Sequence, residues 1–347
     1  MKIDVIVGCQ FGSEAKGLVA GMLAKKNLYD VLVSVNSSQA GHTVPFYKDG
    51  IYHQIVTRQL PSSCVINHDA LIYIGPGAVI NLDVLFNEIR MLEDFNIPIK
   101  DRLLINPKAT IISNDDINRE KNVKLKERIG STCEGVGSAL SMRAIRECYI
   151  IENYRDKLLH EHNIHIGELS KHHEFILLEG SQGFGLSTFS LYYPYCTSRD
   201  TTTAAFLSYA QLPFRDVRNI YGVYRTFPIR VGGNSGPMYK ETTWDEVSKI
   251  SGYENLCEIT TVTKRIRRIG FWDSLLAHKA TVVNGVDRPI LTFVNYLDRR
   301  FEGLQDYKEF LYIADKEIVK LYDQMFRDVN GFWALSTDNK NGWMILD

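Results

Sequence analysis

The 347-residue chain has no surplus of either charge: 40 Lys and Arg stand against 41 Asp and Glu, a formal net charge of -1. A protein that holds long nucleic acid by neutralising phosphates carries a basic excess, so that class is excluded. Acidic-tail and polybasic membrane-anchor readings fail for the same reason. Any bound phosphate must be met locally, by clustered cations or backbone N–H groups. No apolar run reaches the roughly 18 residues of a membrane-crossing helix, and Asp4 breaks the short N-terminal apolar run before it could act as a secretion signal. No C-x-x-C pair occurs among Cys9, Cys64, Cys133, Cys148, Cys196 and Cys257. Scattered cysteines without a signal argue against zinc and for reduced thiols in a cytoplasm. His160, His162 and His165 lack a matching Cys or His pair and read as a solvated helix end or loop. Repeats, low-complexity tracts and clean linkers are missing too.

What is present fits a packed globular enzyme, with 45% hydrophobic and 23% charged residues. Ile3 to Val7, Tyr29 to Val35, Ala70 to Ile74, Leu103 to Ile105, Phe175 to Leu178, Ile220 to Val223 and Ile290 to Val294 are short apolar runs that predict strands. Helical spacing appears at Leu18, Met22 and Leu23, and again at Leu82, Leu85, Phe86, Ile89 and Leu92. Alternating strands and helices predict an α/β fold, a mainly parallel, doubly wound sheet with helices on both faces and loop-built subdomains. One domain spanning 1–347 is expected, with 113–128 as a surface helix or excursion.

Five segments carry chemistry. Gly8-Cys9-Gln10-Phe11-Gly12-Ser13-Glu14-Ala15-Lys16-Gly17 places two glycines and a lysine between a strand and a helix. Backbone N–H groups can close on a phosphate there while Lys16 adds charge, although the segment is neither a Walker A nor a G-x-G-x-x-G sequence. Asn36-Ser37-Ser38-Gln39-Ala40-Gly41-His42-Thr43 follows the second strand, so it belongs at the same sheet edge, where open α/β sheets bind ligands. Ile129-Gly130-Ser131-Thr132-Cys133-Glu134-Gly135-Val136-Gly137, followed by Arg143 and Arg146, is a third segment. Glu179-Gly180-Ser181-Gln182-Gly183 is a fourth, again a strand running into a glycine turn. Thr260 to Arg268 is a fifth: threonines ahead of four cations suit bidentate capture of carboxylates and phosphates.

Together these segments resemble adenylosuccinate synthetases, from residue 3 to the C-terminus. The family's G-x-Q-W-G-D-E-G-K-G is matched by Gly8 to Gly17, its N-A-G-H-T by Gln39 to Thr43, and its E-G-A-Q-G by Glu179 to Gly183. Its T-S-S-N-T-T is matched by Thr197 to Thr202, its arginine-rich loop by Val262 to Phe271, its L-T-K-L-D-V-L-D by Leu291 to Asp298, and its S-T-G-P-D-R by Ser336 to Asn339. Such enzymes phosphorylate O6 of a purine monophosphate with a nucleoside triphosphate and then displace that phosphate with the amine of aspartate. The resemblance implies Mg2+, a homodimer and small-molecule partners, with neither nucleic acid nor membrane. It implies a nucleotide site of Gly12, Ser13, Glu14, Ala15, Lys16, Gly17, Gly41, His42, Thr43, Arg267, Phe293, Asn295, Ser336 and Asp338. Ser13 and the Gly41 carbonyl would lie by the metal. The purine monophosphate would meet Ser13, Gln39, Ala40, Ser131, Thr132, Gln182, Thr197 and Arg265, with Arg146 acting across the dimer interface. Thr261, Val262, Thr263, Arg265 and Arg267 would bind aspartate. Ser13, Lys16, His42, Gln182 and Arg267 would carry the chemistry.

Two departures bear on substrate. Ser13 stands where the family has an aspartate that takes the N1 proton of IMP and touches the metal. Losing that base with IMP should cost roughly 10²- to 10⁴-fold. A guanine-type substrate carries a 2-amino group that would crowd an aspartate but fit beside serine. Glu14, a water and the phosphoryl transfer itself are the open routes for the N1 proton. Asn295 stands where the family has an aspartate that accepts from guanine N1–H and the 2-amino group of GTP; an amide both donates and accepts, which suits adenine. Phe293 replaces a lysine and offers a stacking face. Ser13 and Asn295 together resemble the bacteriophage branch that makes 2-aminoadenine DNA precursors from dGMP, L-aspartate and ATP or dATP. Two other readings stay open, an IMP enzyme using GTP and a nucleotide-binding homologue without catalysis.

Overall fold

A computed structural model of the chain describes residues 1–170, 172–260, 265–338 and 342–346. Its frame is a ten-stranded sheet. The strands in chain order are β1 (Lys2–Gly8), β2 (Val31–Ser34), β3 (Leu71–Ile74), β4 (Leu103–Ile105), β5 (His165–Ile166), β6 (Phe175–Glu179), β7 (Val217–Arg225), β8 (Arg288–Thr292), β9 (Ala334–Ser336) and β10 (Trp343–Ile345). In space they run β5-β4-β3-β2-β6-β1-β7-β8-β9-β10. Every neighbouring pair is parallel except β9 and β10.

The reason is visible in β1, Lys-Ile-Asp-Val-Ile-Val-Gly. After the exposed Lys2 all of its residues are buried, as a central parallel strand covered on both faces requires. Val5 and Val7 face one core with Val33, Leu178 and Leu291. Ile6 faces the other with Leu32, Leu177 and Val223. Asp4, a carboxylate inside this strand, is answered at once: the Tyr29 hydroxyl donates to it at 2.7 Å, the Asn219 amide at 2.9 Å, and Arg218 forms an ion pair with it.

Helix α1 (Lys16–Lys26) follows β1, and Gly17 lets it close on the hairpin that begins at His42. A Cβ at Gly17 would come within 2.5 Å of the Thr43 carbonyl oxygen. α2 (Leu82–Asp94) is capped by Asn81, whose side chain accepts from the Asp83 and Val84 N–H groups, and buries Leu85, Ile89 and Leu92. Residues 113–128 form α3 (Asn114–Asn122), entered through a Ser113–Asp116 capping box, and most of α4 (Leu125–Ile129). This excursion is not wholly at the surface. Glu120 is buried and accepts from the N–H groups of Gly135 and Gly137 at 2.9 and 2.7 Å. His162 closes a helix by stacking on Phe86 at 3.9 Å, and His165 lies in the edge strand β5. β8 stops at Thr292, short of the expected Val294, because Phe293 takes a left-handed φ of 56° and starts a tight turn over Val294–Tyr296. No described helix is long and apolar enough to cross a membrane.

Candidate active site

The carboxyl ends of β1, β2, β6, β7, β8 and β9 all open toward one cleft of about 850 Å³. That volume is in the upper part of the range for small-molecule sites. Gly12, Ser13, Ala15, Lys16 and Gly17 line it, as do Gln39, Ala40, Gly41, His42, Thr43, Ser131 and Thr132. Gln182, Thr197, Arg267, Phe293, Asn295, Ser336 and Asp338, also expected, lie along its walls.

The loop after β1 is shaped by its backbone. Gly12, Ser13 and Ala15 have φ values of 82°, 59° and 65°. The loop hugs the Gln182 turn so closely that a Cβ at Gly8 would meet the Gln182 carbonyl oxygen at 2.4 Å and Glu14 Oε2 at 2.6 Å. α1 begins after Ala15 with no side-chain cap and no acidic residue in its first turn. Its free N–H groups therefore form an anion site beside Lys16. Lys16 Nζ donates to Glu14 Oε2 at 2.8 Å and to the Gln182 carbonyl at 2.5 Å.

Glu14 departs from expectation. Its carboxylate is fully buried beneath the loop, where it accepts from the N–H groups of Gln10 at 3.1 Å and Gly12 at 2.8 Å as well as from Lys16. With left-handed residues on either side, it is absent from the cleft lining and its carboxylate is taken up by the loop's own donors. Its part is to hold the loop.

His42 Nδ1 lies 2.5 Å from Glu179 Oε1. Glu179 also accepts from the Ser62 N–H at 2.8 Å and the Ser62 hydroxyl at 2.6 Å. A carboxylate only accepts, so the ring proton sits on Nδ1 and Nε2 is left for the cleft. Gln39 Nε2 donates to Thr197 Oγ1 at 2.7 Å, which joins two expected substrate residues 158 positions apart. Thr132 Oγ1 is shielded from solvent and has no hydrogen-bond partner, an opening that a phosphate oxygen fits.

Ser13 Oγ accepts from Arg267 Nη1 at 2.6 Å. The serine hydroxyl therefore keeps its own hydrogen to donate, together with one more lone pair. Arg225, fully buried at the end of β7, ties this corner together. Its Nη1 donates to the Ser13 carbonyl at 3.0 Å, its Nη2 to Glu258 Oε1 at 2.5 Å, and its guanidinium stacks over the Phe293 ring at 4.1 Å. Burial would raise the Glu258 carboxyl, but Arg225 and then Arg267 outweigh it and hold it below the usual carboxylate range.

Besides Glu14, two expected residues lie outside the cleft lining. Arg146 is exposed, has a left-handed φ of 68°, and donates to the Ala144 carbonyl at 2.8 Å. Arg265 pairs with Thr260 through the backbone, and its guanidinium lies against Gly233. Thr261, Val262 and Thr263 lie outside the described residues. Glu179, Arg225, Glu258, Tyr253 and Glu302 escaped the sequence reading as site residues. Only Glu179 and Arg225 carried a signal, a charged residue at the end of an apolar parallel strand.

No three His, Cys, Asp or Glu side chains gather as a metal cage among the described residues. Ser13 and Gly41 supply neutral oxygens only. Such a donor set fits a hard cation carried in on phosphates, not one caged by protein.

The family model for adenylosuccinate synthetase matches residues 5–166 and 149–305. N6-succino-2-amino-2′-deoxyadenylate synthase of Vibrio phage phiVC8 is 33% identical over 308 residues, covering 85% of this chain and 86% of that one. The adenylosuccinate synthetase of Archaeoglobus fulgidus is 31% identical over 330 residues, covering 94% and 93%. Among solved structures, the cyanophage S-2L succinoaminodeoxyadenylate synthetase (PurZ), bound to dGMP and to dATP as energy donor, superposes with a TM-score of 0.80 at 30% identity, over 98% of this chain and 93% of that one.

Proposed function

This chain is a carbon–nitrogen ligase of the adenylosuccinate synthetase family, and from that premise we propose that it joins L-aspartate to C6 of dGMP with ATP or dATP as energy donor. The products are N6-succino-2-amino-2′-deoxyadenylate, phosphate and ADP or dADP. The observation that carries this reading is Ser13, held by Arg267 where an IMP enzyme of the family has an aspartate. Serine leaves room for a 2-amino group and keeps a hydroxyl to donate or accept beside the ring. The dGMP and dATP held by the cyanophage relative support the same substrate pair.

In this reading the γ-phosphoryl group passes to O6 of dGMP, N1 loses its proton, and the aspartate amine then attacks C6 and expels phosphate. Lys16 and the uncapped first turn of α1 bind the triphosphate. His42, fixed by Glu179, meets the charge on the transferring phosphoryl group through Nε2, and Gln182 orients O6. Arg267 serves the developing phosphate charge and, with Arg265 and Thr261 to Thr263, the carboxylates of aspartate. Thr132, Gln39 and Thr197 hold the 5′-phosphate region. Arg146, exposed and outside the lining of its own cleft, serves the cleft of a second copy in a homodimer. Ser13 and the Gly41 carbonyl would hold Mg2+ together with the nucleotide phosphates, where it would supply positive charge against them. The work is that of a cytoplasmic enzyme, making a precursor of 2-aminoadenine DNA.

The test is a matrix of IMP, GMP and dGMP against ATP, dATP and GTP, with aspartate and Mg2+, followed by phosphate release. Turnover with dGMP and an adenine nucleotide is expected. Turnover with IMP and GTP alone overturns the assignment, and binding without turnover in every combination makes the chain a non-catalytic homologue.

A further inference from the structure

Glu179 is fully buried at the end of β6, and among the described residues no lysine or arginine pairs with it; its ion-pair partner is His42. Its donors among the described residues are three. His42 Nδ1 at 2.5 Å and the Ser62 hydroxyl at 2.6 Å share Oε1, and the Ser62 N–H reaches Oε2 at 2.8 Å. Ser62 thus supplies two of the three. Its N–H on Oε2 resists rotation of the carboxylate. Oε1 has two lone pairs, so the hydroxyl that takes one leaves the imidazole a single direction of approach. Neither Ser62 nor Glu179 lines the cleft.

Ser62 is itself held. Thr57 pairs with His42 across the hairpin. The next three N–H groups, of Arg58, Gln59 and Leu60, donate to Glu88, which is buried on α2. Gln59 adds a reciprocal pair with the backbone of Asn81, its Nε2 donating to the carbonyl at 2.8 Å and its Oε1 accepting the N–H at 2.7 Å. The chain from Thr57 to Ser62 is therefore fixed along its length, and it ends on the carboxylate that orients His42.

We infer that Ser62 is a positioning residue for phosphoryl transfer, acting through Glu179 to keep the His42 imidazole aimed at the transferring group. The inference deepens the ligase reading above and rests on the role given there to His42. A buried carboxylate that loses a donor turns to find another, and a ring tethered to it turns as well. Where rate comes from groups already in place, that freedom costs rate and spares affinity.

The experiment is a double-mutant cycle on kcat with the wild type, Ser62→Ala, His42→Ala and the double variant. Ser62→Ala keeps the N–H bond to Oε2 and loses the hydroxyl. It should lower kcat about tenfold and leave the KM for both nucleotides within about twofold. In the His42→Ala background the same change should cost nothing further, because the group it acts through is gone. A merely structural role lowers kcat by the same factor in both backgrounds. That result overturns the inference, as does an unchanged kcat in Ser62→Ala. Should Ser62→Ala not fold, Glu88→Gln runs the same cycle one step further out. It turns an NH2 group toward backbone donors, and a loss of about threefold takes the place of tenfold, with the same two overturning results. Activity with IMP and GTP alone overturns the dGMP assignment without touching the cycle, which is then run on that pair. A His42→Ala variant as fast as the wild type, or no turnover with any pair, overturns the role of His42 and the inference with it.

Discussion

At the phosphate-loop end of the cleft, Glu14, Lys16, His42 and Glu179 satisfy one another before any ligand arrives. At the ends proposed for the purine phosphate and the nucleotide base, Thr132 Oγ1 and Asn295 Oδ1 have no partner. The first region is preorganised: its charges stand where they are needed and little has to move. The second is unfinished, and the ligand supplies the missing hydrogen bonds. Substitutions in the first should therefore remove rate, and substitutions in the second should change what binds and how tightly.

The largest effect is expected from His42→Ala. Its kcat with dGMP, aspartate and ATP should fall about 10³-fold, with the KM for dGMP little changed. Steady-state kinetics decides the point, and a loss confined to KM would break the contrast between the two regions. Ser13→Asp comes next. It should lower kcat/KM for dGMP about 10- to 100-fold, by crowding the 2-amino group and pairing a carboxylate with Arg267. Undiminished turnover of dGMP would remove the steric argument. Thr132→Val should raise the KM for dGMP about tenfold and spare kcat; equal binding of dGMP by the variant in a calorimetric titration would show that the orphan oxygen receives nothing.

The smallest effect is on stability. Glu88 accepts from the N–H groups of Arg58, Gln59 and Leu60, just ahead of the Ser62 that holds Glu179. Burial raises its carboxyl to about 7 despite those three donors. A carboxyl raised in the folded state stabilises below its unfolded value and loses that contribution as pH rises through about 7. The stability of the wild type relative to Glu88→Gln should therefore shrink by about 2 kcal/mol between pH 5 and 8, a melting shift of a few degrees. A gap that widens over this interval would contradict the sign.

The frame and the address of the site were legible in sequence because both are local signals. A buried parallel strand is a short apolar run, and a ligand loop is the glycine turn after it, as at Gly8, Gly41 and Gly180. The links that finish the site are not local. His42 meets Glu179 across 137 residues, and Arg225 meets Ser13 across 212. Tyr253 reaches Asn295, and Glu302 reaches Tyr253, from separate turns, with nothing in the pattern to mark them. The orientation of Glu14 was illegible for a different reason. Which way its side chain points depends on the left-handed turns at Ser13 and Ala15, which only the backbone reveals.

Those same turns carry a consequence for engineering. Ser13, Ala15 and Gln182 hold φ values of 59°, 65° and 65° without being glycine, and each such residue costs about 1 kcal/mol of folding free energy. Glycine at any of them would relax the chain in the folded state while widening its freedom in the unfolded one. The wild-type residues keep the loop in a single shape at some expense of thermal endurance. A search for sturdier variants of this enzyme would be drawn to these positions first, and would trade away its readiness to react.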